Sequence, residues 1–158
     1  MTSTRTDTPW LDAEQQRIWR AFLGGVTVLM DQLDRDLRTQ HGLSMGEYEI
    51  LVRLSEAPGR SIRMAELAAA VSHSRSRVTH TISRLERAGI VVRAQCSEDG
   101  RGVSALLTDH GFSVLEQAAH THVRGVHDYL IENAPTEDFA AVGRIMERVI
   151  ATLNGQRF

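Results

Sequence analysis

From residue 12 onward the apolar positions of the chain fall into a succession of regular periods. Ile18, Phe22, Val26, Leu29, Leu33 and Leu37 are spaced by three and four, the repeat of a helix with one apolar face, and they predict a long helix from Asp12 to about Gln40. DAEQ (12–15) reads as a capping box at its start and His41-Gly42 as its end. A second capping box, SMGE (44–47), opens a short helix that points Ile50, Leu51 and Leu54 inward and is stopped by EAPGR (56–60).

Two more helical periods follow at close range. MAELAAAV (64–71) is short and alanine-rich, SHS makes a turn, and Val78, Ile82 and Leu85 share one face of a helix from about Arg75 to Arg87, with Gly89 placed to end it. Two helices joined by a tight turn form a helix-turn-helix. The period then changes to that of strands: IVVRAQC (90–96) and GVSALL (102–107) flank SEDGR, whose Asp99-Gly100 is a hairpin turn signal, so a β wing follows. Thr108 caps a helix reaching about Glu132, and Thr136 starts a last helix carrying Phe139, Val142, Ile145, Met146, Val149 and Leu153 in register.

The resulting expectation is a mainly α chain. It has a winged helix-turn-helix lobe over 44–107 with a two-stranded wing, flanked by helices at 12–41 and 108–155, within a single domain spanning 1–158. The long terminal helices carry more apolar stripe than so small a central lobe can cover, which predicts burial against a second copy of the chain.

Composition agrees with a soluble globular protein: 158 residues, 42% hydrophobic and 24% charged. No apolar run approaches the ~20 residues of a membrane span, MTSTRTDTPW lacks the apolar core of a secretory signal, and one cysteine, Cys96, matches a reducing compartment, so a cytoplasmic location is expected. Charge changes the picture more. The net charge is −2, yet residues 60–101 hold eight arginines against four acids, leaving ten basic and sixteen acidic residues elsewhere. Such segregation is the electrostatic footprint of a lobe that faces phosphates.

The residues resemble the multiple-antibiotic-resistance regulators, or MarR family, of winged-helix repressors. The resemblance rests on S-x-S-x-V-T-x-x-I-x-R-L-E-x-A-G-I-V from Ser74 to Val91 and on D-x-R-G-x-x-x-x-L-T from Asp99 to Thr108, followed by Gly111. It implies a dimer that places the recognition helix and wing of each subunit on double-stranded DNA, a ligand crevice between the DNA lobe and the dimerisation lobe, and release from a palindromic operator by a small, aromatic or phenolic, effector. In the helix, the inward face leaves Arg75, Ser76, Thr79, His80 and Ser83 directed outward, with Arg84 at the flank and Arg77 near the start, where it reaches a base or a phosphate. Ser74, as N-cap, offers backbone N–H groups to a phosphate oxygen, and Ser61 and Arg63 are read as backbone clamps. Arg101, beside two glycines, suits a narrow minor groove. By resemblance, Asp99 steadies that arginine or its turn.

Two positions depart from the family pattern: His73 stands where leucine is frequent and His80 where arginine is frequent. Histidine is the side-chain type whose charge changes between pH 5 and 8, so with one at position 80 operator affinity is expected to rise as the pH falls from about 8 to 6. Trp19 and Tyr48 are the candidates for the effector crevice. Cys96 is read as a small hydrophobe. His120, His122 and His127, spaced by two and five, do not share one helix face, so neither a metal nor a cofactor is expected. No phosphate loop, nucleophile elbow or metal triad is present, and the chain is not read as an enzyme. The alternative is a winged-helix module that binds a small molecule or a protein without a specific operator.

Overall fold

A computed structural model describes residues 8–71, 75–95 and 102–155, and of Arg75 the backbone alone. The elements run α1 (Ala13–His41), α2 (Met45–Glu56), a 3-10 turn (Pro58–Arg60), β1 (Ser61–Arg63), α3 (Met64–Ala70), α4 (Arg75–Arg87), β2 (Val91–Gln95), β3 (Val103–Leu107), α5 (Asp109–Tyr129), a second 3-10 turn (Ile131–Asn133) and α6 (Thr136–Gly155). Among these residues no helix is long and apolar enough to cross a membrane.

Local chemistry sets the boundaries. At α1 the Asp12 carboxylate accepts the Gln15 N–H at 2.8 Å while the Gln15 side chain accepts the Asp12 N–H at 3.0 Å, satisfying two donors that a helix start leaves open. Ser44 and Glu47 repeat the arrangement at α2. At the end of α4, Gly89 adopts φ +69°, and the N–H groups of Gly89 and Ile90 bond back to the carbonyls of Glu86 and Leu85 at 3.0 Å each. This left-handed turn, which suits glycine, swings the chain from α4 directly into β2.

One expectation is extended and one is shortened. The wing is not an isolated pair of strands: β1 joins it to give an antiparallel sheet ordered β1-β3-β2, with Ile62 opposite Ala105 and Arg93 opposite Ala105 on the other side. The helix expected to reach Glu132 ends at Tyr129, and Ile131–Asn133 tightens into a 3-10 turn ahead of Pro135.

The core lies beneath this sheet. Leu37, Ile50, Leu51, Leu54, Leu67, Val78, Ile82, Leu85 and Val91 are fully buried, each contributing about 1.5–3 kcal/mol over the exposed state. The start of α5 is pressed onto the end of α4: a Cβ on Gly111 would stand 2.1 Å from the Ile90 carbonyl oxygen. Thr108 caps α5 by accepting the Gly111 N–H at 2.9 Å and donates its own hydroxyl to the Gly89 carbonyl at 2.7 Å. Farther along, α5 crosses the second half of α1, where Gly125 faces Leu33 and the Tyr129 hydroxyl donates to Asp36 at 3.0 Å. In contrast, α6 contains no buried residue.

Candidate nucleic-acid interface

Helix α4 is amphipathic at its full length. Its inward strip, Val78, Ile82 and Leu85, is at most 1% exposed, whereas Ser76, Arg77, Thr79, His80 and Arg84 are exposed. The turn before it and the wing tip after it, with Ser74, Asp99, Arg101, Cys96, His73 and the side chain of Arg75, lie outside the described residues. Of the sites expected from sequence, Ser76, Arg77, Thr79 and His80 therefore come together on one outward surface.

Arg84 behaves differently from its expected outward role. Its guanidinium turns from the flank of α4 toward the junction of α1 and α2, forms an ion pair with Glu47 and donates to the Gly42 carbonyl at 3.2 Å. Glu47 is only 4% exposed. Burial works against its charge, but hydrogen bonds from Arg84 and from the Ser44 amide and hydroxyl outweigh that penalty and hold its pKa below the ordinary carboxylate value. The same pairing moves Arg84 upward. Beside it, Asp34 of α1 accepts the Met45 N–H at 2.7 Å and pairs with Arg38. A polar cavity of about 340 Å³ opens here, lined among others by Asp34, Arg38, Glu47, Arg77 and Thr81. Arg77 thus sits at the edge between the outward surface and this cavity.

The opposite flank of α4 is held by the wing. Arg93 of β2 reaches across to the Glu86 carboxylate at 2.5 Å, the Ser83 hydroxyl at 2.8 Å and the Thr79 carbonyl at 3.1 Å, and its own N–H donates to Glu86 at 3.1 Å. Ser83, expected to face outward, has its hydroxyl engaged within the protein. Ser61 and Arg63 belong to β1, opposite Leu106 and Ser104, and are half-buried at the sheet edge rather than in a loop. The turn leading to them is pinned by Arg60, in the left-handed region at φ +55°. Its guanidinium lies 3.9 Å from the centre of the Phe112 ring and 3.2 Å from Asp109.

Trp19 and Tyr48 occupy different surroundings. Trp19 stacks on Phe22 in the first half of α1 and is half-exposed, while Tyr48 is buried on α2 with its ring 4.7 Å from that of His122 on α5. Neither lines the polar cavity. Burial raises the Tyr48 pKa and lowers that of His122, whose Nδ1 is buried without a hydrogen-bond partner. The α5 histidines diverge: His122 turns into the α2 contact, and His127 pairs on the surface with Asp128 at 3.1 Å, with Glu132 at 3.8 Å.

Sequence reasoning missed Glu47, Arg60 and Arg93. For Glu47 the signal was visible but absorbed by its capping role, and for Arg93 an arginine interrupting an otherwise β-branched strand start was the only hint.

Comparison with known proteins gives concordant results. The MarR family model matches residues 43–103. The HTH-type transcriptional regulator PecS of Dickeya dadantii is 29% identical over 151 residues, 92% of this chain and 90% of that protein. Among solved structures, AbsC, a MarR family transcriptional regulator from Streptomyces coelicolor, is 38% identical with a TM-score of 0.87, covering 94% of this chain and 99% of its own. Sco3205, a MarR family transcriptional regulator from the same organism solved in complex with DNA, is 40% identical with a TM-score of 0.86, covering 91% of this chain and 94% of its own.

Proposed function

This chain belongs to the MarR family and is a DNA-binding transcriptional regulator rather than an enzyme; we propose that it is a cytoplasmic homodimeric repressor, which binds a palindromic operator and leaves it when a small effector is bound. The observation that carries the DNA-facing part is the surface of α4: a helix whose apolar strip is sealed into the lobe, offering Ser76, Arg77, Thr79 and His80 together. Side chains of this kind at the start of a helix reach base edges in the major groove, and an arginine pairs bidentately with guanine. From the sequence alone, Ser74 and Arg75 are assigned to the same DNA contact and Arg101 to the minor groove, with Asp99 steadying that arginine or its turn; Ser74, Asp99, Arg101 and the side chain of Arg75 lie outside the described residues. Ser61 and Arg63, at the edge of the sheet, serve the phosphate backbone.

The dimer is supported by the terminal helices. Ile18, Trp19, Leu23, Val26 and Met30 on α1 and Phe139, Val142, Ile145, Val149, Ile150 and Leu153 on α6 are all at least 40% exposed. Two helices with continuous uncovered apolar stripes need a partner, and a second copy supplies the same stripes by symmetry. Effector release is favoured by the polar cavity, because a ligand entering it meets both Glu47, the anchor of Arg84, and Arg77.

Titration of labelled duplex from the gene's own upstream region against unrelated duplex tests the function. One dimer is expected on two half-sites about one helical turn apart, with affinity falling steeply as salt rises. Arg77→Ala should relax base preference or reduce affinity uniformly, and Arg101→Ala should weaken binding most on A·T-rich flanks. Equal weak binding to every duplex would instead support a module that binds small molecules or proteins.

A further inference from the structure

We propose that Arg93 is a positioning residue that clamps the wing to the recognition helix, making the two DNA-facing elements of each lobe one rigid unit. The inference rests on the DNA-binding function proposed above. Thr79, Ser83 and Glu86 recur at intervals of four and three, so they form a single strip along two turns of α4, beside the buried strip of Val78, Ile82 and Leu85. Arg93 lies along that strip. One branch of its guanidinium holds the Glu86 carboxylate, the other the Ser83 hydroxyl and the Thr79 carbonyl, and its backbone N–H takes the remaining Glu86 oxygen. Four contacts from one residue of β2 therefore span residues 79 to 86.

The chemistry requires arginine. Only a planar fork with several donors in fixed directions serves a carboxylate, a hydroxyl and a carbonyl at once, whereas a lysine ammonium is a point charge on a flexible stem. Glu86 in turn neutralises a cation that would otherwise be offered to phosphate. The base of the hairpin is anchored through β1 and the buried Val91, Ala105 and Leu107, and Arg93 adds a direct tie from the β2 edge to two turns of α4. The residues that read DNA then meet it in one fixed relation, so the ordering cost is met in the free protein rather than on binding.

A direct phosphate contact by Arg93 is the competing role, and three variants separate the two. Affinity for the upstream duplex is measured for Arg93→Ala, Arg93→Lys and Glu86→Gln, with thermal melting as a check on folding. The clamp predicts losses of about tenfold or more for all three, including Glu86→Gln, which removes a negative charge from beside the DNA. A phosphate contact predicts rescue by lysine, unchanged or tighter binding for Glu86→Gln, and a salt slope for Arg93→Ala reduced by about one contact; that pattern would overturn the proposal. Amide hydrogen exchange in the DNA-free protein supplies a second readout that survives if no operator binding is found. Residues 91–95 should exchange at least tenfold faster in Arg93→Ala and Glu86→Gln, with α1 and α2 unchanged. Unaltered protection of β2 would refute the clamp, whatever the DNA result.

Discussion

The winged-helix lobe and the terminal helices are built from similar apolar periods but reach opposite states in a single chain. From Leu43 to Leu107 the inward positions are sealed: Leu51, Leu54, Leu67 and Ile82 have no exposed surface. Along α6, and along α1 before Leu33, no apolar side chain is buried; Leu153 is 57% exposed and Ile145 54%. Amphipathic periodicity states that a face will be covered, without stating by what. In the lobe the cover comes from neighbouring elements of the same chain, and in the terminal helices the faces stay uncovered within the chain, which is what the proposed dimer would close.

The sharpest way to break this contrast is to place charge on the uncovered stripe. Ile145→Asp combined with Leu153→Asp should leave the monomer folded, since neither side chain is packed in it, while weakening self-association by about 100-fold or more through two carboxylates desolvated at an apolar contact. Sedimentation velocity over a concentration series reads this; a parent that stays monomeric, or a double variant that associates like the parent, would count against the proposed dimer through this stripe. Inside the lobe the effect should reverse. Leu54→Ala should cost about 3 kcal/mol of unfolding free energy by chemical denaturation, through lost transfer and a residual cavity. Gly111→Ala should cost about 2 kcal/mol, because the added methyl meets the Ile90 carbonyl rather than a movable side chain.

Acid should discriminate the regions more gently. Glu47 has a folded pKa below its ordinary 4.5, so as the pH drops the unfolded chain takes up the proton first. Its contribution to stability is complete above about pH 4.5 and is lost as the pH falls through the folded value. Glu47→Gln should therefore flatten the acid limb of a melting-temperature profile between pH 5 and 3. The smallest effect belongs to His122, whose folded pKa lies below 6.5 because of burial. Here too the unfolded chain protonates first, so stability is lost below about pH 6.5, and His122→Phe should remove that slope while keeping a ring against Tyr48. An unchanged slope would show that the orphaned nitrogen has no energetic consequence.

The helices were legible in the sequence because their signals are local. Asp12 with Gln15, Ser44 with Glu47, and Gly89 each act within a few residues, and α4 runs over the residues that its period indicates. Strand β1 was not legible. Three residues are too few to show alternation, and its partner β3 lies more than forty positions away, with Ile62 facing Ala105. The partner of Arg84 was not legible for a related reason. A helical period separates inward from outward, but a flank that meets water and a flank that meets the end of another helix have the same periodicity. Only the fold brings Gly42 and Glu47 to that flank. The gathering of Ser76, Arg77, Thr79 and His80 was legible, since it follows from α4 alone, whereas the neighbours of Trp19 and Tyr48, Phe22 and His122, include a tertiary contact that no local period states.

The seat of Gly111 on Ile90 sets a limit on how such a regulator can be tuned. The Thr108 hydroxyl that caps α5 donates to the Gly89 carbonyl and Gly111 seats on Ile90, so the start of α5 is joined directly to the turn that ends α4. A displacement of the root of α5 is expected to carry the end of α4 with it. In the dimer proposed above, the spacing of the two α4 helices would then depend on how α5 lies.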